Sequence, residues 1–167
     1  MSIPFGSITT FIFDVDGVLT DGSVWSYAQE EYVRRFYIKD GYAIEKALQA
    51  GYQIAIISGG NEPGVRNRLS FLGIQHIHLG IKDKKKVLSD LMSTLKCQTA
   101  NVLYMGDDIP DIQLMKEVGL PCCPSDAAID AKQASIYISG QAGGRGAVRD
   151  VIEKVMRVRG DWKPEQW

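Results

Sequence analysis

The chain has 167 residues, which fits one domain of ordinary size, and 45% of them are hydrophobic, which is enough for a sizeable core. Its 19 basic and 20 acidic residues leave a net charge of -1, so no overall field attracts nucleic acid or an anionic membrane surface. We therefore expect a single domain over residues 1–167, with neither nucleic acid nor a membrane among its partners.

The N-terminal residues and the cysteines indicate the compartment. The start, "MSIPFGSITT", lacks the charged n-region and long apolar segment of a signal peptide, and no apolar run approaches membrane-spanning length. The three cysteines, Cys97, Cys122 and Cys123, are odd in number and show no metal-binding spacing, which favours reduced thiols. We expect a cytoplasmic protein without disulfides.

The first predicted strand, "TTFIFDV", is a short apolar run rich in aromatic and β-branched residues. The next segment, residues 21–41, predicts a β-hairpin because apolar side chains surround a polar "AQEE" centre. Inserted between the first strand and the first helix, this hairpin should project over the end of the sheet as a flap. Its apolar side chains need a partner surface. They are Val24, Trp25, Tyr27, Tyr32, Val33, Phe36 and Ile38.

Helical patterns and apolar runs alternate along the rest of the chain. A helix with Asp40 as a candidate N-cap and Gly51 as its end precedes the strand "YQIAIIS", and a helix over residues 63–72 precedes the strand "IHL". Apolar stripes after a lysine cluster and before Gly119 predict helices on either side of the strand "NVLYMG". The strand "ASIYIS" and a helix over residues 148–158 follow. The alternation predicts an α/β fold, a Rossmann-like parallel sheet with helices on both faces.

Chemically active side chains follow four of the predicted strands. Because the carboxyl ends of parallel strands meet at one edge of a sheet, we expect these side chains to form one site. An isolated pair of aspartates is equally typical of a turn or a helix cap, but four matched strand ends favour the shared site. In chain order the residues are Asp14 and Asp16, then Ser58, Gly59 and Gly60, then Lys84, and finally Asp107, Asp108 and Asp111 in "GDDIPD".

Several carboxylates in one site require a counter-charge. Like-charge repulsion would raise some of their pKa values unless Lys84 and a cation offset it. Mg²⁺ prefers oxygen ligands and is usually held by one or two carboxylates together with a substrate phosphate. The sequence therefore predicts a Mg²⁺ site.

The segments "DVDGV", "ISG", "DK" and "GDDIPD" resemble the four motifs of the haloacid dehalogenase superfamily of phosphotransferases, and the resemblance spans nearly the whole chain. By that resemblance Asp14 is the nucleophile that forms an aspartyl-phosphate. Asp16 is the general acid that protonates the leaving alkoxide and then activates water. A carboxylate nucleophile divides phosphoester hydrolysis into two displacements, each of which places charge on the phosphoryl oxygens.

The same resemblance assigns the remaining site residues. Lys84, Ser58, the Gly59 amide and Mg²⁺ would stabilise the phosphoryl charge. The metal ligands would be Asp14, the Asp16 carbonyl and Asp107. Asp108 would orient metal-bound waters or Lys84, while Asp111 would lie behind the ligands or cap the following helix.

A narrower resemblance follows from the absence of room for a cap domain. "DVDGVLTDG", "IKDGYAI", "LGI", "GDDIPD" and "GGRGAVRD" resemble the small capless phosphatases that act on 3-deoxy-manno-octulosonate 8-phosphate, and their relatives that act on nonulosonate 9-phosphates such as those of sialic acid or deaminoneuraminate. The resemblance implies a homotetramer assembled through the hairpins, with the tail, residues 160–167, able to enter a neighbour's active site. Many octulosonate enzymes carry an arginine where this chain has Gly60, so the nonulosonate substrate remains an alternative.

Other polar residues have two interpretations each. Lys39 and Asp40 could contact the polar end of the substrate, or Asp40 could cap its helix. Arg68 could meet a sugar carboxylate or lie on a solvated helix face, and Arg145 could bind that carboxylate or belong to a flexible glycine loop. The lysines around Lys84 are most simply a solvated face.

Two further functions would use some of the same residues. His76 and His78 alternate on one predicted strand, but no third ligand is evident nearby, which disfavours zinc. The non-enzyme alternative is a phosphoacceptor receiver module, which also gathers acids, a Ser or Thr and a Lys at strand ends. Receivers place the acceptor aspartate after a central strand and an acidic pair after the first, which disagrees with the motif order here.

Overall fold

The computed structural model describes residues 3–27 and 32–163. The "AQEE" centre of the predicted hairpin and the last four residues of the predicted tail lie outside the described residues. The strands are β1 (Thr10–Phe13), β2 (Trp25–Ser26), β3 (Tyr32–Val33), β4 (Gln53–Ile57), β5 (His76–His78), β6 (Val102–Met105), β7 (Leu120–Cys123) and β8 (Tyr137–Ile138). The α-helices are α1 (Ile38–Gln49), α2 (Pro63–Phe71), α3 (Lys84–Leu95), α4 (Ile112–Met115), α5 (Ile129–Ala134) and α6 (Ala147–Arg159).

A six-stranded parallel sheet forms the centre of the fold, in the order β5-β4-β1-β6-β7-β8. β1 lies between β4 and β6, with Thr10 opposite Gln53 on one side and Val102 on the other. All four residues of β1 are buried. A strand that is buried on both faces carries a continuous apolar run, which is the reason "TFIF" forms the centre of the sheet.

Helices cover both faces of this sheet. Phe11 and Phe13 of β1 belong to one core cluster, which includes buried residues of α1, α2 and α6. Ile12 points the other way and belongs to a second cluster, with residues of α3, α4 and α5. Successive side chains of a strand point to opposite faces, so one short strand contributes to both cores. The predicted α/β fold with helices on both faces is confirmed.

The predicted strands are all present, but one strand and one helix were missed. β7 contains Pro121 and two cysteines, and a proline argues against a strand inside a sheet because it cannot donate to the ladder. α5 is a short helix of six residues, and α4 has only four residues where the sequence suggested a longer helix. Short elements carry too few periodic positions for a pattern to reveal them.

The predicted flap is partly described and its boundary needs correction. β2 and β3 pair in antiparallel fashion, as a hairpin requires. Residues 38–41 belong to α1, however, so the flap ends earlier than predicted. Phe36 packs against the main core and forms a bridge with Thr20, so it is not part of an exposed surface.

Asp40 is not the N-cap of its own helix. The N-cap of α1 is Tyr37, and Asp40 lies inside the first turn with only 1% of its surface exposed. Its Oδ1 accepts a hydrogen bond of 2.8 Å from the backbone N–H of Arg149, in the first turn of α6. The N-cap of α6, Gly146, has no side chain to satisfy that helix end. Asp40 of α1 therefore caps α6.

Two other expectations concern covalent and membrane features. Cys97, Cys122 and Cys123 are all free thiols. Among the described residues, none of the helices combines the length and the apolar character needed to cross a membrane.

Candidate active site

The carboxyl ends of β1, β4 and β6 meet the start of α3 around a cavity of about 470 Å³. The ends of neighbouring parallel strands necessarily share one edge, so residues far apart in the chain line this one cavity. The predicted site residues that line it are Asp14, Asp16, Ser58, Gly59, Gly60, Lys84, Asp107, Asp108 and Asp111.

Asp14 lies immediately after β1, at the base of the cavity. Its Oδ2 accepts a hydrogen bond of 2.7 Å from Lys84 Nζ, and its Oδ1 accepts one of 2.7 Å from the backbone N–H of Val15. The pKa of Asp14 is raised to about 6, chiefly by burial and then by the charge of Asp111, although Lys84 acts in the opposite direction. Burial in an acidic site thus disfavours the charged carboxylate until further positive charge arrives.

Lys84 begins α3 and is 5% exposed. Its Nζ donates to Asp14 and also to Asp111 Oδ1, at 2.7 Å in each case. Burial lowers the pKa of Lys84, but the charges of Asp14 and Asp111 outweigh burial and leave this pKa above its usual value. The ammonium group is therefore a fixed positive charge beside Asp14.

Asp111, rather than Asp108, holds Lys84. Asp111 is buried, and it also accepts hydrogen bonds from the Tyr104 hydroxyl at 2.6 Å and from the Asp107 N–H at 3.0 Å. Asp108 is exposed, and its carboxylate caps a short 3-10 helix by accepting from the N–H of Ile109. The structure thus corrects the expectation that Asp108 orients the lysine, and it places Asp111 behind the site as the anchor of Lys84.

The site fits a hard divalent cation. In the part of the chain that the structure describes, one group of three potential metal-binding side chains has ligand atoms within 4.8 Å of one another: Asp14, Asp107 and Asp111. Asp111 is already engaged by four protein donors, which leaves Asp14 and Asp107 as the carboxylates best suited to a metal. An all-oxygen donor set matches the preference of Mg²⁺.

Asp107 and Gly17 lie next to each other in the wall of the cavity. The pKa of Asp107 is raised to about 7, chiefly by burial and then by the charges of Asp111 and Asp14. Gly17 has a φ of +74°, and a Cβ at this position would lie 2.0 Å from Asp107 Oδ2. The glycine of "DVDGV" therefore lets the Asp107 carboxylate approach the loop that carries Asp14 and Asp16.

Asp16 is held by Arg34, a residue that the sequence analysis did not single out. Arg34 Nε donates to Asp16 Oδ1 at 3.0 Å and its second terminal nitrogen donates to Oδ2 at 3.2 Å. The first terminal nitrogen of Arg34 lies 2.8 Å from Glu62 Oε1. The adjacent arginines Arg34 and Arg35 in the flap were the available signal, but the sequence does not show which way either side chain points.

Two other contributors were missed. Tyr104 belongs to the apolar run of β6 and is fully buried, so its hydroxyl was not recognised as a donor to Asp111. Lys82 lines the cavity although it was interpreted as part of a solvated face. Its neighbour Lys85 does lie on the exposed surface, where it pairs with Glu117.

The other predicted substrate-binding residues lie outside this cavity. Lys39 and Arg145 line a separate cavity together with residues of α6. Arg145 is half-exposed and lies 3.7 Å from Asp21. The guanidinium of Arg68 stacks over the ring of Phe71 at 5.6 Å. These three side chains are therefore not part of the wall of the aspartate cavity.

A buried aspartate directly after β1, a buried lysine that bonds to it, and a carboxylate pair suited to a hard cation are the features expected of a phosphotransferase site. The chain matches the family model of the haloacid dehalogenase-like hydrolases over residues 38–124, and it belongs to this family.

Known proteins resemble the chain over most of its length. The 3-deoxy-D-manno-octulosonate 8-phosphate phosphatase KdsC of Escherichia coli (strain K12) is 38% identical over 92% of this chain and 82% of that protein. The crystal structure of the corresponding phosphatase from Yersinia pestis has a TM-score of 0.92 and 34% identity, and the match covers 94% of this chain and 85% of that one. The phosphatase from Moraxella catarrhalis, in complex with a magnesium ion, a phosphate ion and a KDO molecule, has a TM-score of 0.91 and 32% identity, over 94% of this chain and 90% of that one.

Proposed function

We propose that this chain is a Mg²⁺-dependent phosphomonoesterase that hydrolyses 3-deoxy-D-manno-octulosonate 8-phosphate to the free sugar acid and phosphate. The observation that carries the proposal is the Asp14 carboxylate, held at 2.7 Å by Lys84 in a cavity that Asp107 also lines. Relatives named for that activity share 38% identity over 92% of the chain. Their family is one of hydrolases, which disfavours the receiver module.

In the first step a carboxylate oxygen of Asp14 attacks phosphorus. A bond forms between Asp14 and phosphorus, the bond between phosphorus and the sugar oxygen breaks, and Asp16 gives its proton to the departing alkoxide. Lys84, the Ser58 hydroxyl and the Gly59 N–H stabilise the charge that develops on the phosphoryl oxygens, because all three line the same cavity.

In the second step Asp16, now a carboxylate, accepts a proton from water. The water oxygen bonds to phosphorus, the bond between phosphorus and Asp14 breaks, and the Asp14 carboxylate is restored. Asp14, Asp107 and the Asp16 carbonyl would hold Mg²⁺, which would supply positive charge for the phosphoryl group and offset the repulsion between the carboxylates. Asp111 keeps Lys84 directed at Asp14 through both steps.

Gly60 keeps a second substrate under consideration. A nonulosonate 9-phosphate carries the same phosphomonoester and carboxylate groups. This chain has Gly60 at the position where many octulosonate enzymes have an arginine. We assign Lys39, Arg68 and Arg145 to recognition of the sugar acid, with Arg145 acting on the site of a neighbouring subunit.

The proposed assembly is a homotetramer of single-domain subunits, residues 1–167, joined through the flap. Its exposed apolar side chains support this, because an apolar patch of this kind marks an interaction surface. They are Val24, Trp25, Tyr27, Tyr32 and Val33. The free thiols support a reducing cytoplasm as the compartment.

A phosphate-release screen tests the proposed function. The purified protein with Mg²⁺ is assayed against octulosonate 8-phosphate, nonulosonate 9-phosphates and neutral hexose phosphates. We expect sustained turnover with the highest kcat/KM for octulosonate 8-phosphate. A higher kcat/KM for a nonulosonate would reassign the substrate, and a single stoichiometric phosphorylation without turnover would contradict the enzymatic function.

A further inference from the structure

Three charged residues form a cluster at the edge of the active-site cavity: Asp16, Arg34 and Glu62. Asp16 follows β1, Arg34 follows β3 on the flap, and Glu62 is the N-cap of α2. The Arg34 guanidinium lies between the two carboxylates, at 3.0 Å from Asp16 and 2.8 Å from Glu62. The flap is thereby joined to the residue that exchanges protons in the proposed reaction.

The contact with Asp16 is a fork. Two nitrogens of Arg34 donate to the two different oxygens of Asp16, which fixes the plane of the carboxylate as well as its distance. The Arg34 side chain is 7% exposed whereas that of Asp16 is 36% exposed. The buried guanidinium is therefore the element that restrains the more exposed carboxylate.

Glu62 holds the opposite side of the guanidinium. Because Glu62 belongs to the start of α2, its position depends on the helix and not on the flap. Arg34 also makes a longer hydrogen bond of 3.5 Å to the Tyr32 carbonyl. All three nitrogens of Arg34 thus donate to protein oxygens, which suits a residue that acts through Asp16.

Gly60 leaves room for this cluster. A Cβ at position 60 would lie 3.0 Å from Glu62 Oε2 and 3.4 Å from Asp16 Oδ2, with an Arg34 nitrogen at 3.8 Å. A larger side chain would therefore enter the space that the cluster occupies. The second-motif sequence "SGGN" and the arginine of the flap are two parts of the same arrangement.

We propose that Arg34 is a positioning residue that directs the Asp16 carboxyl toward the oxygen of the leaving group. The inference rests on the proposed function, because it assumes that Asp16 gives a proton to that oxygen. A general acid must lie within hydrogen-bond reach of its target in the correct orientation, and Arg34 holds the plane of the Asp16 carboxyl for this. When Asp16 carries the proton that it gives to the leaving group, the oxygen that bears this proton no longer accepts from Arg34, and the bond to the other oxygen keeps the carboxyl in place.

The leaving group provides a test that a merely structural role would not satisfy. A sugar alkoxide is a poor leaving group and needs a proton as it departs, whereas 4-nitrophenolate departs readily without one. The value of kcat/KM reports the steps up to the departure of the leaving group. Loss of the Asp16 orientation should therefore lower kcat/KM for an alkyl phosphate much more than for an aryl phosphate.

The experiment compares Arg34→Gln with the wild type on octulosonate 8-phosphate and 4-nitrophenyl phosphate. We expect kcat/KM to fall by about tenfold or more on the alkyl substrate and by less than about threefold on the aryl substrate. Arg34→Lys keeps the charge but not the fork, and should recover only part of the loss. Arg35→Gln is the matched control, because Arg35 is an exposed neighbour that pairs with Asp21 instead.

Equal losses on both substrates, or an unchanged ratio of the two kcat/KM values, would overturn the inference. Full recovery by Arg34→Lys would also contradict it, because a point charge would then suffice. If the wild type rejects octulosonate 8-phosphate, the proposed substrate fails. The ratio is then measured with another alkyl phosphate that the wild type hydrolyses, so the two failures are distinguishable.

Discussion

At the scale of single residues, the site depends on one lysine between two aspartates. Lys84 lies 2.7 Å from Asp14 and 2.7 Å from Asp111, and both of those carboxylates are largely removed from water. A buried ion pair is costly when one partner is lost, because the other charge remains without compensation. The arrangement therefore both orders Asp14, the proposed nucleophile, and supplies positive charge where we propose that the phosphoryl group binds.

The two aspartates of "DVDGV" should respond differently to substitution. Asp14→Asn removes the nucleophile and should abolish turnover, whereas Asp16→Asn removes acid–base catalysis and should lower kcat by about 100-fold or more. Steady-state phosphate release measures both. Asp90→Asn, on the exposed face of α3, is the control and should keep wild-type turnover. Near-normal turnover by Asp14→Asn would refute the mechanism.

The metal-free protein should lose stability as the pH rises. Asp14 and Asp107 have folded-state pKa values of about 6 and about 7 against an ordinary 3.8, so the folded state binds more protons than the unfolded state between these values. The free energy of unfolding then falls as the pH rises from about 4 to about 7. Mg²⁺ should reduce this fall because it binds the ionised carboxylates of the folded state.

Thermal unfolding at a series of pH values, in chelator and in Mg²⁺, measures this effect. Asp107→Asn removes one of the carboxyl groups whose pKa is raised in the folded state and should reduce the pH dependence in chelator. An identical slope for the wild type and Asp107→Asn would contradict the prediction. Chelation should also remove phosphatase activity, and Mg²⁺ should restore it.

At the scale of elements, the most informative contact joins α1 to α6. Asp40 accepts from the N–H of Arg149 in the first turn of α6, where the N-cap glycine offers no side chain. Burial raises the pKa of Asp40 to about 6, and the hydrogen bonds from the N–H groups of α6 act in the opposite direction. The two helices that cover β1 are thus linked by a cap as well as by apolar packing.

Asp40→Ala should destabilise the fold by about 1–2 kcal/mol, because a buried helix end loses its cap. Asp40→Asn retains an oxygen that can accept from Arg149, so its cost should be smaller. Chemical denaturation with a two-state fit measures both values. If Asp40→Ala were as stable as the wild type but had lost specificity for sugar acids, Asp40 would be a substrate contact instead of a cap.

At the scale of the whole molecule, the open site and the exposed apolar flap can both be explained by assembly of several copies of the chain. The cavity around Asp14 has no cap domain above it among the described residues, and the flap strands carry exposed aromatic side chains such as Trp25, which is 62% exposed. Packing these side chains against further copies of the chain would remove apolar surface from water and complete the wall of the site.

Trp25→Glu should therefore shift the proposed tetramer to smaller species in sedimentation velocity, because it places a charge in the apolar contact. Phe71→Ser is the matched control, since Phe71 is 76% exposed on α2 and outside the flap. A wild-type monomer at assay concentration, or a tetramer that persists in Trp25→Glu, would show that the flap does not join the subunits.

Arg145→Ala tests the contribution of a neighbouring subunit to specificity. The change should reduce discrimination between octulosonate 8-phosphate and a neutral hexose phosphate by about 1 to 3 kcal/mol, because it removes a charge-assisted hydrogen bond. Hydrolysis of 4-nitrophenyl phosphate should remain near the wild-type rate. Unchanged kcat/KM values on both sugar substrates would show that Arg145 does not recognise the carboxylate.

The sequence by itself determined the fold class and the composition of the catalytic edge. Asp14, Ser58, Lys84 and Asp107 each follow a strand that a local apolar pattern reveals, and parallel strands bring such ends together whatever the details of packing. The sequence did not predict β7, because Pro121 argues locally against a strand. In the fold, pairing with β6 on one side and β8 on the other stabilises this strand.

Only the tertiary structure decided which of these groups touch. Lys84 meets Asp14 across 70 positions of sequence, Asp40 meets Arg149 across 109, and Arg34 bonds to Asp16 across 18. The direction of a side chain depends on its rotamer and on neighbours from other elements, which no local period encodes. For that physical reason the sequence indicated the members of the site, whereas the fold decided that Asp111 holds the lysine and that an arginine of the flap holds Asp16.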